Sequence, residues 1–178
     1  QFYDFYNGLG PVTAHQHINP DGSIGGWVQN TAYVAATVYL GRDAKVHGYA
    51  KVIAGARILD KAEVDSNALV YDAAVIKDFG RVSGFAQVYG NAIVKGRALV
   101  TENAQVYGNA KVFDEGRIYD NVRVYGNARV FDNACVTGSA WVYGNACVHD
   151  SAYIHGWARI GDYSVVGGKS VVGAGDRF

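Results

Sequence analysis

Five histidines are the residues of this chain best suited to acid–base or metal chemistry: His15, His17, His47, His149 and His155. Imidazole titrates near neutral pH and is a common metal ligand. His15 and His17 are two residues apart, so three chains meeting on an axis would offer six imidazoles to one iron; an ordinary loop is the alternative. We predict no metal, no cofactor and no catalytic residue, with His149 and His155 as the alternative candidate bases.

The composition excludes several classes of partner. Sixteen Lys and Arg balance sixteen Asp and Glu, so no net field steers the chain onto nucleic acid. No apolar run approaches the roughly 20 residues that cross a bilayer. Two cysteines, Cys135 and Cys147, are too few for a disulfide framework and are predicted to be free thiols. The compartment stays open between a virion or extracellular fibre and the cytoplasm.

A six-residue repeat determines where these side chains stand. From Val28 to Val172 every sixth residue is Val, Ile or Leu, 25 times without insertion or deletion. Two residues later stands Gly, Asp or Asn in 19 of the 25 units, and four residues later Ala, Gly, Ser or Val in 24 of them. β-branched side chains favour strands, Gly and Asx tolerate the backbone angles of tight corners, and small residues fit where the chain bends near its axis.

The repeat predicts an all-β fold, because apolar residues do not recur at the helical intervals of three and four. Three units make one 18-residue coil, which explains why VYGNA begins at Val88, Val106, Val124 and Val142. Coils stacked about 4.8 Å apart form a triangular solenoid of about eight coils. We predict a non-repeating head over residues 1–27 and the solenoid over residues 28–178.

These units resemble those of the hexapeptide-repeat proteins, in which an aliphatic residue is followed by Gly, Asp or Asn and then by a small residue. The resemblance covers residues 28–175 and implies a left-handed parallel β-helix. The run NVRVYGNARVFDNACVTG at residues 121–138 and GGWV at residues 25–28 are similar to long NAxVYG arrays of uncharacterised bacterial and phage proteins. Some of those proteins carry an acyltransferase label.

The unbroken register assigns each outward residue to one of three faces. The second face, centred on Val34 and every eighteenth residue after it, carries an aromatic column that we predict to be an interface or binding strip: Tyr71, Tyr89, Tyr107, Tyr125, Trp141 and Tyr143. Stacking alone, packing against another subunit and binding of a glycan remain alternatives. On the adjacent corner, side-chain hydrogen bonds from coil to coil are predicted for Asn91, Asn109, Asn127 and Asn145.

The third face, centred on Leu40, is a secondary candidate in which cations alternate with rings: Lys77, Lys95, Lys111, Phe113, Arg129 and Phe131. This pattern is typical of surfaces that hold a polyanion. The alternative is that the corner aspartates neutralise it, and no nucleic-acid partner is predicted. The first face, which includes His47 and Asp65, is interpreted as a solvated face.

The resemblance implies two enzyme activities, carbonic anhydrase and acyltransferase, and the chain lacks the complete residue set of either. His47 and His155 lie six coils apart on one face, so they cannot share a metal. Acyltransferases of this kind present a histidine near a loop that leaves the helix, and the 25 units contain no such loop. The sequence does not indicate that the Asp150 side chain points toward His149 or His155, so no orienting partner is predicted for either base.

The head is rich in aromatic residues and is predicted to cover the open end of the solenoid, with Phe2, Phe5 and Tyr6 over the first coil, or to insert into a partner. At the other end the repeat runs on through VVGAGDRF with no evident cap, so the chain is expected to continue there or to stack on something.

These observations predict a non-enzymatic structural or adhesive module: a rigid rod, part of a phage or cell-surface fibre, that acts through its aromatic face and its ends. The expected partners are further copies of the chain, as a homotrimer or an end-to-end stack, or else a glycan or another fibre subunit. The alternative function is acyl transfer by a histidine near the C-terminal coils.

Overall fold

A computed structural model describes residues 1–173, 175 and 176, and within them the chain forms 27 short strands. The first nine are β1 Phe2–Tyr3, β2 Val12–Ile18, β3 Ile24–Gln29, β4 Tyr33–Val34, β5 Tyr39–Leu40, β6 Lys45–Val46, β7 Lys51–Val52, β8 Arg57–Ile58 and β9 Glu63–Val64. The next nine are β10 Leu69–Val70, β11 Val75–Ile76, β12 Arg81–Val82, β13 Gln87–Val88, β14 Ile93–Val94, β15 Leu99–Val100, β16 Gln105–Val106, β17 Lys111–Val112 and β18 Arg117–Ile118. The last nine are β19 Arg123–Val124, β20 Arg129–Val130, β21 Cys135–Val136, β22 Trp141–Val142, β23 Cys147–Val148, β24 Tyr153–Ile154, β25 Arg159–Ile160, β26 Val165–Val166 and β27 Val171–Val172. No helix capable of crossing a membrane occurs in the described part of the chain.

Three sheets form the sides of the predicted triangular solenoid. The first face is an 11-stranded sheet in the order β1-β2-β3-β6-β9-β12-β15-β18-β21-β24-β27. The second face has the order β4-β7-β10-β13-β16-β19-β22-β25, and the third has the order β5-β8-β11-β14-β17-β20-β23-β26. Because parallel neighbours are always three strands apart in the chain, each coil lies directly on the one before it. The all-β parallel solenoid of about eight coils is therefore confirmed.

The 18-residue interval sets the register of the sheets. Gln87 pairs with Gln105, and Val88 pairs with Val106. The amide of Tyr89 donates to the carbonyl of Val106 at 3.1 Å, and the amide of Gln87 donates to the carbonyl of Ala104 at 2.9 Å. Equivalent residues of successive coils therefore stand in straight columns, and this is how the fold builds surfaces.

The aliphatic column fills the prism. From Val28 onward these side chains are buried, together with the alanines four residues after them, and among the described residues only Ala32 and Val34 are partly exposed. Complete burial of a Val or Ile side chain stabilises a fold by about 1.5–3 kcal/mol. The core thus has the same composition in nearly every coil, and differences between coils are confined to the outward positions.

From Gly48 to Gly168, each corner is a turn with a left-handed residue two positions after the aliphatic. Gly108 has a φ of +69°, and a Cβ there would lie 3.1 Å from the amide nitrogen of Gly126. Asp occupies the same conformation in other coils, for example Asp78 at +60° and Asp132 at +54°. This confirms the role assigned to the Gly/Asx positions, since both tolerate this region of backbone space.

The head covers the edge of the first strand on two of the three faces. Strand β2 pairs antiparallel with β3 and so covers the edge of the first face. On the third face, Asn19 takes the place of a strand, because its side chain accepts from the Leu40 amide at 2.8 Å and donates to the Leu40 carbonyl at 3.2 Å. The second face begins at β4, and no strand of the described residues precedes it there. The head is therefore a cap that leaves the aromatic sheet open at this end.

The aromatic residues of the head are arranged differently from the prediction. Phe5 is buried, as expected, but Phe2 is 75% exposed and Tyr6 is 82% exposed, so the expectation that these two cover the first coil is wrong. Tyr3 takes that place and stacks on Trp27 with ring centroids 4.4 Å apart. Alternation along β1 explains the swap, since Phe2 and Tyr3 must point to opposite sides.

Candidate functional site

The tyrosines of the second face form one continuous stack. Centroid distances along Tyr71, Tyr89, Tyr107 and Tyr125 are 4.7, 4.8 and 5.0 Å, with rings within 7° of parallel, and Tyr143 follows at 5.5 Å. Burial in the stack raises the pKa of Tyr89 and Tyr107, with the adjacent phenol as a second cause, so these two side chains are uncharged at neutral pH. The rings cover one another's faces, and their edges form a half-buried strip.

The strip ends in a cation–aromatic sandwich. Trp141 lies between two guanidinium groups, Arg159 at 4.0 Å from its ring centroid and Arg123 at 5.2 Å, and its ring also meets the edge of Tyr125 at 6.3 Å. Such contacts contribute about 0.5–1 kcal/mol each at exposed sites. The predicted aromatic residues are thus brought together as a single surface.

A second aromatic column escaped the sequence interpretation. Tyr49, Phe85 and Trp157 occupy one position of the repeat, on the corner between the first and second faces, and are 66%, 62% and 69% exposed. Tyr49 and Phe85 line a cleft of about 490 Å³ together with Leu69. In the sequence these three rings are separated by multiples of 18 residues. Asparagines and a serine occupy the same position in the coils between them, so the rings do not form an unbroken column that counting would reveal.

The third face stacks its rings but leaves its cations apart from the corner aspartates. Phe113, Phe131 and His149 stack at 4.7 and 5.3 Å, and the Lys95 ammonium lies 5.3 Å from the Phe113 centroid. The aspartate carboxylates instead accept backbone N–H groups of the next coil, as between Asp78 and the Gly96 amide at 3.0 Å. These carboxylates stabilise corners, and no ion pair within 4 Å joins them to Lys77, Lys95, Lys111 or Arg129 among the described residues.

The corner asparagines behave as predicted. Each side-chain amide donates to the amide oxygen of the next coil, at 3.2 Å from Asn91 to Asn109, 3.1 Å from Asn109 to Asn127 and 3.1 Å from Asn127 to Asn145. The ladder is exposed, so its bonds replace bonds to water and stabilise the corner only slightly.

The two alternative bases occupy different faces, and one of them has the partner that the sequence did not reveal. Nδ1 of His149 lies 3.0 Å from a carboxylate oxygen of Asp150, so the expectation that Asp150 aims at neither ring is wrong. The left-handed backbone of Asp150 turns its side chain back along the corner. Gly167 and Gly173 leave room for the rings of His149 and His155, because a Cβ at either position would overlap the imidazole.

The HxH histidines are bound separately within the protein. Nδ1 of His15 lies 3.0 Å from the side-chain oxygen of Asn30, on the exposed side of β2. His17 is buried, and its Nε2 donates to the carbonyl of Val38 at 3.0 Å. His17 thus takes part in capping the third face, and a shared metal would require both rings to leave these partners.

The first face contains a buried polar network, so its interpretation as a solvated face is wrong around His47 and Asp65. Both side chains are buried, at 4% and 3% exposure. Nε2 of His47 donates to Glu63 at 2.7 Å, and Nε of Arg81 donates to Asp65 at 2.7 Å. The head contributes to the burial of His47, since the Phe5 ring packs 4.9 Å from its imidazole.

The network keeps its carboxylates ionised. Burial alone would raise the pKa of Glu63, but the hydrogen bond from His47 and the charge of Arg81 outweigh it, so the pKa lies below its usual value. For Asp65, burial is likewise outweighed by hydrogen bonds from Arg81, Ser83 and Ser66, so that pKa is also lowered. A set of charges fixed in this way beside an opening is a common property of binding sites.

Above this network lies a cleft of about 670 Å³ between the head and the first coils. The stacked rings of Tyr3 and Trp27 form one wall of the cleft together with Gln16. Glu63 is the residue of the buried network that lines the cleft. The remaining lining residues come from the adjacent corner and from β6, namely Arg42, Asp43, Lys45 and Lys61. Neither His149 nor His155 lines this cleft or the one beside Phe85.

Two groups of side chains have the composition of a metal site. In each group, His47 with Glu63 and Asp65, and Asp132 with His149 and Asp150, the ligand atoms lie within 4.8 Å of one another. Within the first group Glu63 and Asp65 are already bound to His47 and Arg81, and in the second the carboxylates accept backbone amides of the next coil. We assign no metal to either.

Comparison with protein families agrees with this geometry. The family model described as YdcK Beta solenoid repeat matches residues 86–102, 117–130 and 128–144. The chain is a β-solenoid repeat protein. The matched segments lie in the regular coils and contain part of the tyrosine and asparagine columns, whereas the head and its cleft lie outside them. No curated protein matches the chain.

Proposed function

We propose that this protein is a non-enzymatic structural or adhesive module, a rigid rod that associates with further copies of itself through the tyrosine strip. One observation carries the proposal: the second face carries a stack from Tyr71 to Tyr143, and exposed rings at Tyr49, Phe85 and Trp157 stand on the corner at its other edge. Exposed apolar surface of this extent marks association sites on proteins. A homotrimer buries one such side from each chain around a common axis.

The shape of the N-terminal end favours lateral over end-to-end association. A chain stacked on that end would need three free edge strands, but β2 covers the first face and Asn19 occupies the edge of the third. Among the described strands, only β4 remains open there. A fibre role, in a phage or on a cell surface, then follows from lateral packing of rods, and a glycan or another fibre subunit is the alternative occupant of the strip.

The oligomeric state tests this function. Analytical ultracentrifugation of the wild type is expected to give the mass of three chains. Gln105→Arg places a charge on the strip without removing a tyrosine, and it is expected to yield monomers because like charges meet across a symmetric interface. Thr101→Arg, on the first face of the same coil, is the matched control and should leave the trimer intact. A monomeric wild type at high concentration would overturn the proposal.

Acyl transfer is the second candidate, and the contact between His149 and Asp150 favours it. A carboxylate 3.0 Å from Nδ1 holds an imidazole in one orientation and leaves Nε2 for proton transfer. Incubation with acetyl-CoA and a panel of amine and hydroxyl acceptors tests it. Release of free thiol that His149→Ala abolishes would establish the enzyme and displace the structural role, whereas no turnover by the wild-type oligomer would remove this candidate.

A further inference from the structure

We propose that the cleft between the head and the first face binds an acidic saccharide, a sugar that bears a carboxylate or sulfate group. The cleft lies on the first face, away from the tyrosine strip, so the inference goes beyond the proposed association and does not depend on it. Its volume of about 670 Å³ falls in the range of small-ligand sites, about 300–1,000 Å³.

The cations of the cleft are available to a ligand. Arg42, Lys45 and Lys61 line it, and no carboxylate lies within 4 Å of their charged groups among the described residues. The Lys45 ammonium is instead held near two rings, at 5.2 Å from the centroid of Tyr6 and 5.9 Å from that of Tyr3. An entering anion would therefore gain charge-assisted hydrogen bonds without breaking an ion pair.

The acids of the cleft require a ligand that also donates hydrogen bonds. Glu63 is held ionised, with one oxygen engaged by His47 at 2.7 Å and by Arg81 at 3.9 Å. Asp43 lines the cleft as a second acceptor. A bare sulfate carries acceptors only and is repelled by these carboxylates, whereas a sugar acid brings hydroxyl donors together with its anionic group. This combination distinguishes a saccharide from a simple anion.

The aromatic wall supplies the apolar contact that a sugar ring needs. Tyr3 and Trp27 stack within 17° of parallel, and Phe5 meets Tyr3 edge-on at 4.9 Å, so the wall is packed from behind. The C–H groups of a pyranose can lie against such rings while its hydroxyls meet Gln16 and the acids. A polynucleotide fits less well, since the chain has zero net charge and the carboxylates would face its phosphates.

The buried network explains how the cleft is preorganised. Arg81 joins Asp65 to Glu63, and Glu63 joins His47, on which the Phe5 ring of the head packs. The position of the head over the cleft is thereby fixed by groups that cost free energy to bury and that a purely structural solenoid does not require. The charges facing the cleft from the elements packed against it are Arg42, Asp43, Lys45, Lys61 and Glu63.

The test is titration calorimetry of the full chain with a trigalacturonate, a sulfated heparin-type disaccharide and a neutral galactotriose. We expect at least one acidic saccharide to bind at least tenfold more tightly than the neutral one, and the tighter of the two identifies the anionic group. Arg42→Ala with Lys61→Ala should weaken that binding at least tenfold, since both side chains are exposed and not needed for folding. The control, Lys111→Ala with Arg117→Ala, removes one Lys and one Arg elsewhere on the surface and should have no effect.

Three results would overturn the inference: equal affinity for the neutral sugar, equal binding of inorganic sulfate, or unchanged affinity in the Arg42 and Lys61 variant. An oligonucleotide that binds the cleft more tightly than either acidic saccharide would also overturn it. The Gln105→Arg variant should bind the saccharide like the wild type, so failure of the association and failure of this site can be told apart.

Discussion

The central coils and the first coils are built on the same repeat but hold their side chains in opposite ways. In the central coils two columns bring each side chain against its own copy 18 residues away, as Tyr89 meets Tyr107 and Asn109 meets Asn127. In the first coils unlike groups meet, and Asn7 of the head reaches His47 across 40 residues at 3.5 Å. Like-with-like columns make a uniform surface, whereas unlike contacts make an individual site. The two regions should therefore respond differently to substitution.

The largest effect is expected at Arg81. Arg81→Leu leaves the buried carboxylate of Asp65 without its cation, and we expect the free energy of unfolding to fall by about 3 kcal/mol, with Ser66 and Ser83 limiting the loss. Urea unfolding followed by circular dichroism measures it. Arg117→Leu, in the same column two coils on, should change stability by less than about 0.5 kcal/mol because it makes no ion pair among the described residues. Equal losses would mean that the network is no more than surface charge.

The same network predicts a dependence on pH. Because the folded-state pKa values of Glu63 and Asp65 are lowered, their contribution to stability is complete above the unfolded values of 4.5 and 3.8. It is lost as the pH falls from there through the folded values. The wild type should therefore lose stability below about pH 4.5. Arg81→Leu should lose less over the same interval, and parallel curves would contradict this account.

The next effect tests the corner of the central coils. Gly108→Val forces a β-branched residue to a φ of +69° against the backbone of Gly126, and we expect a loss of about 2 kcal/mol. Gly108→Asp should cost less than half of that, because Asp holds this conformation at Asp78 and Asp132. Thermal unfolding compares the stability of the two variants. Equal losses of stability would show that the space for a side chain, and not the backbone φ, limits which residues this corner accepts.

The two regions also differ in how much of their structure could be predicted from the sequence. The 18-residue interval predicted the coil length, the three faces, the tyrosine stack and the Asn ladder. In these columns the contact partner of a residue is the equivalent residue of the next coil, 18 positions later. The burial of His47 could not be found in this way, because it depends on where the head places Phe5. The contact of Asp150 with His149 was missed for a different reason, since a left-handed backbone redirects a corner side chain.

A smaller effect is expected within the tyrosine stack. Tyr107→Ala removes two stacked neighbours and should lower the free energy of unfolding by about 1–2 kcal/mol, whereas Tyr71→Ala removes the single pair with Tyr89 and should cost about half as much. Tyr107→Phe keeps the rings and should be nearly neutral. The tyrosine substitutions are best made in the Gln105→Arg variant, and unfolding is best measured at a protein concentration where that variant is monomeric. Stacking within the chain is then separated from association between chains. If Tyr107→Ala and Tyr71→Ala were equally costly there, the rings would not act through stacking.

The smallest effect is expected in the asparagine ladder, and it tests whether a repeated column can exist without contributing stability. Asn127→Ala breaks two exposed hydrogen bonds, to Asn109 and Asn145, which water can replace, so the loss should stay below about 1 kcal/mol. Asn127→Asp removes the donor to Asn145 but keeps the acceptor for Asn109, and it should cost about half of the alanine change. A loss as large as that of Arg81→Leu would mean that these exposed bonds are far stronger than water allows. A small loss means instead that regularity on this corner reflects the repeat itself, and that individual residues carry energy mainly where the head interrupts the regularity.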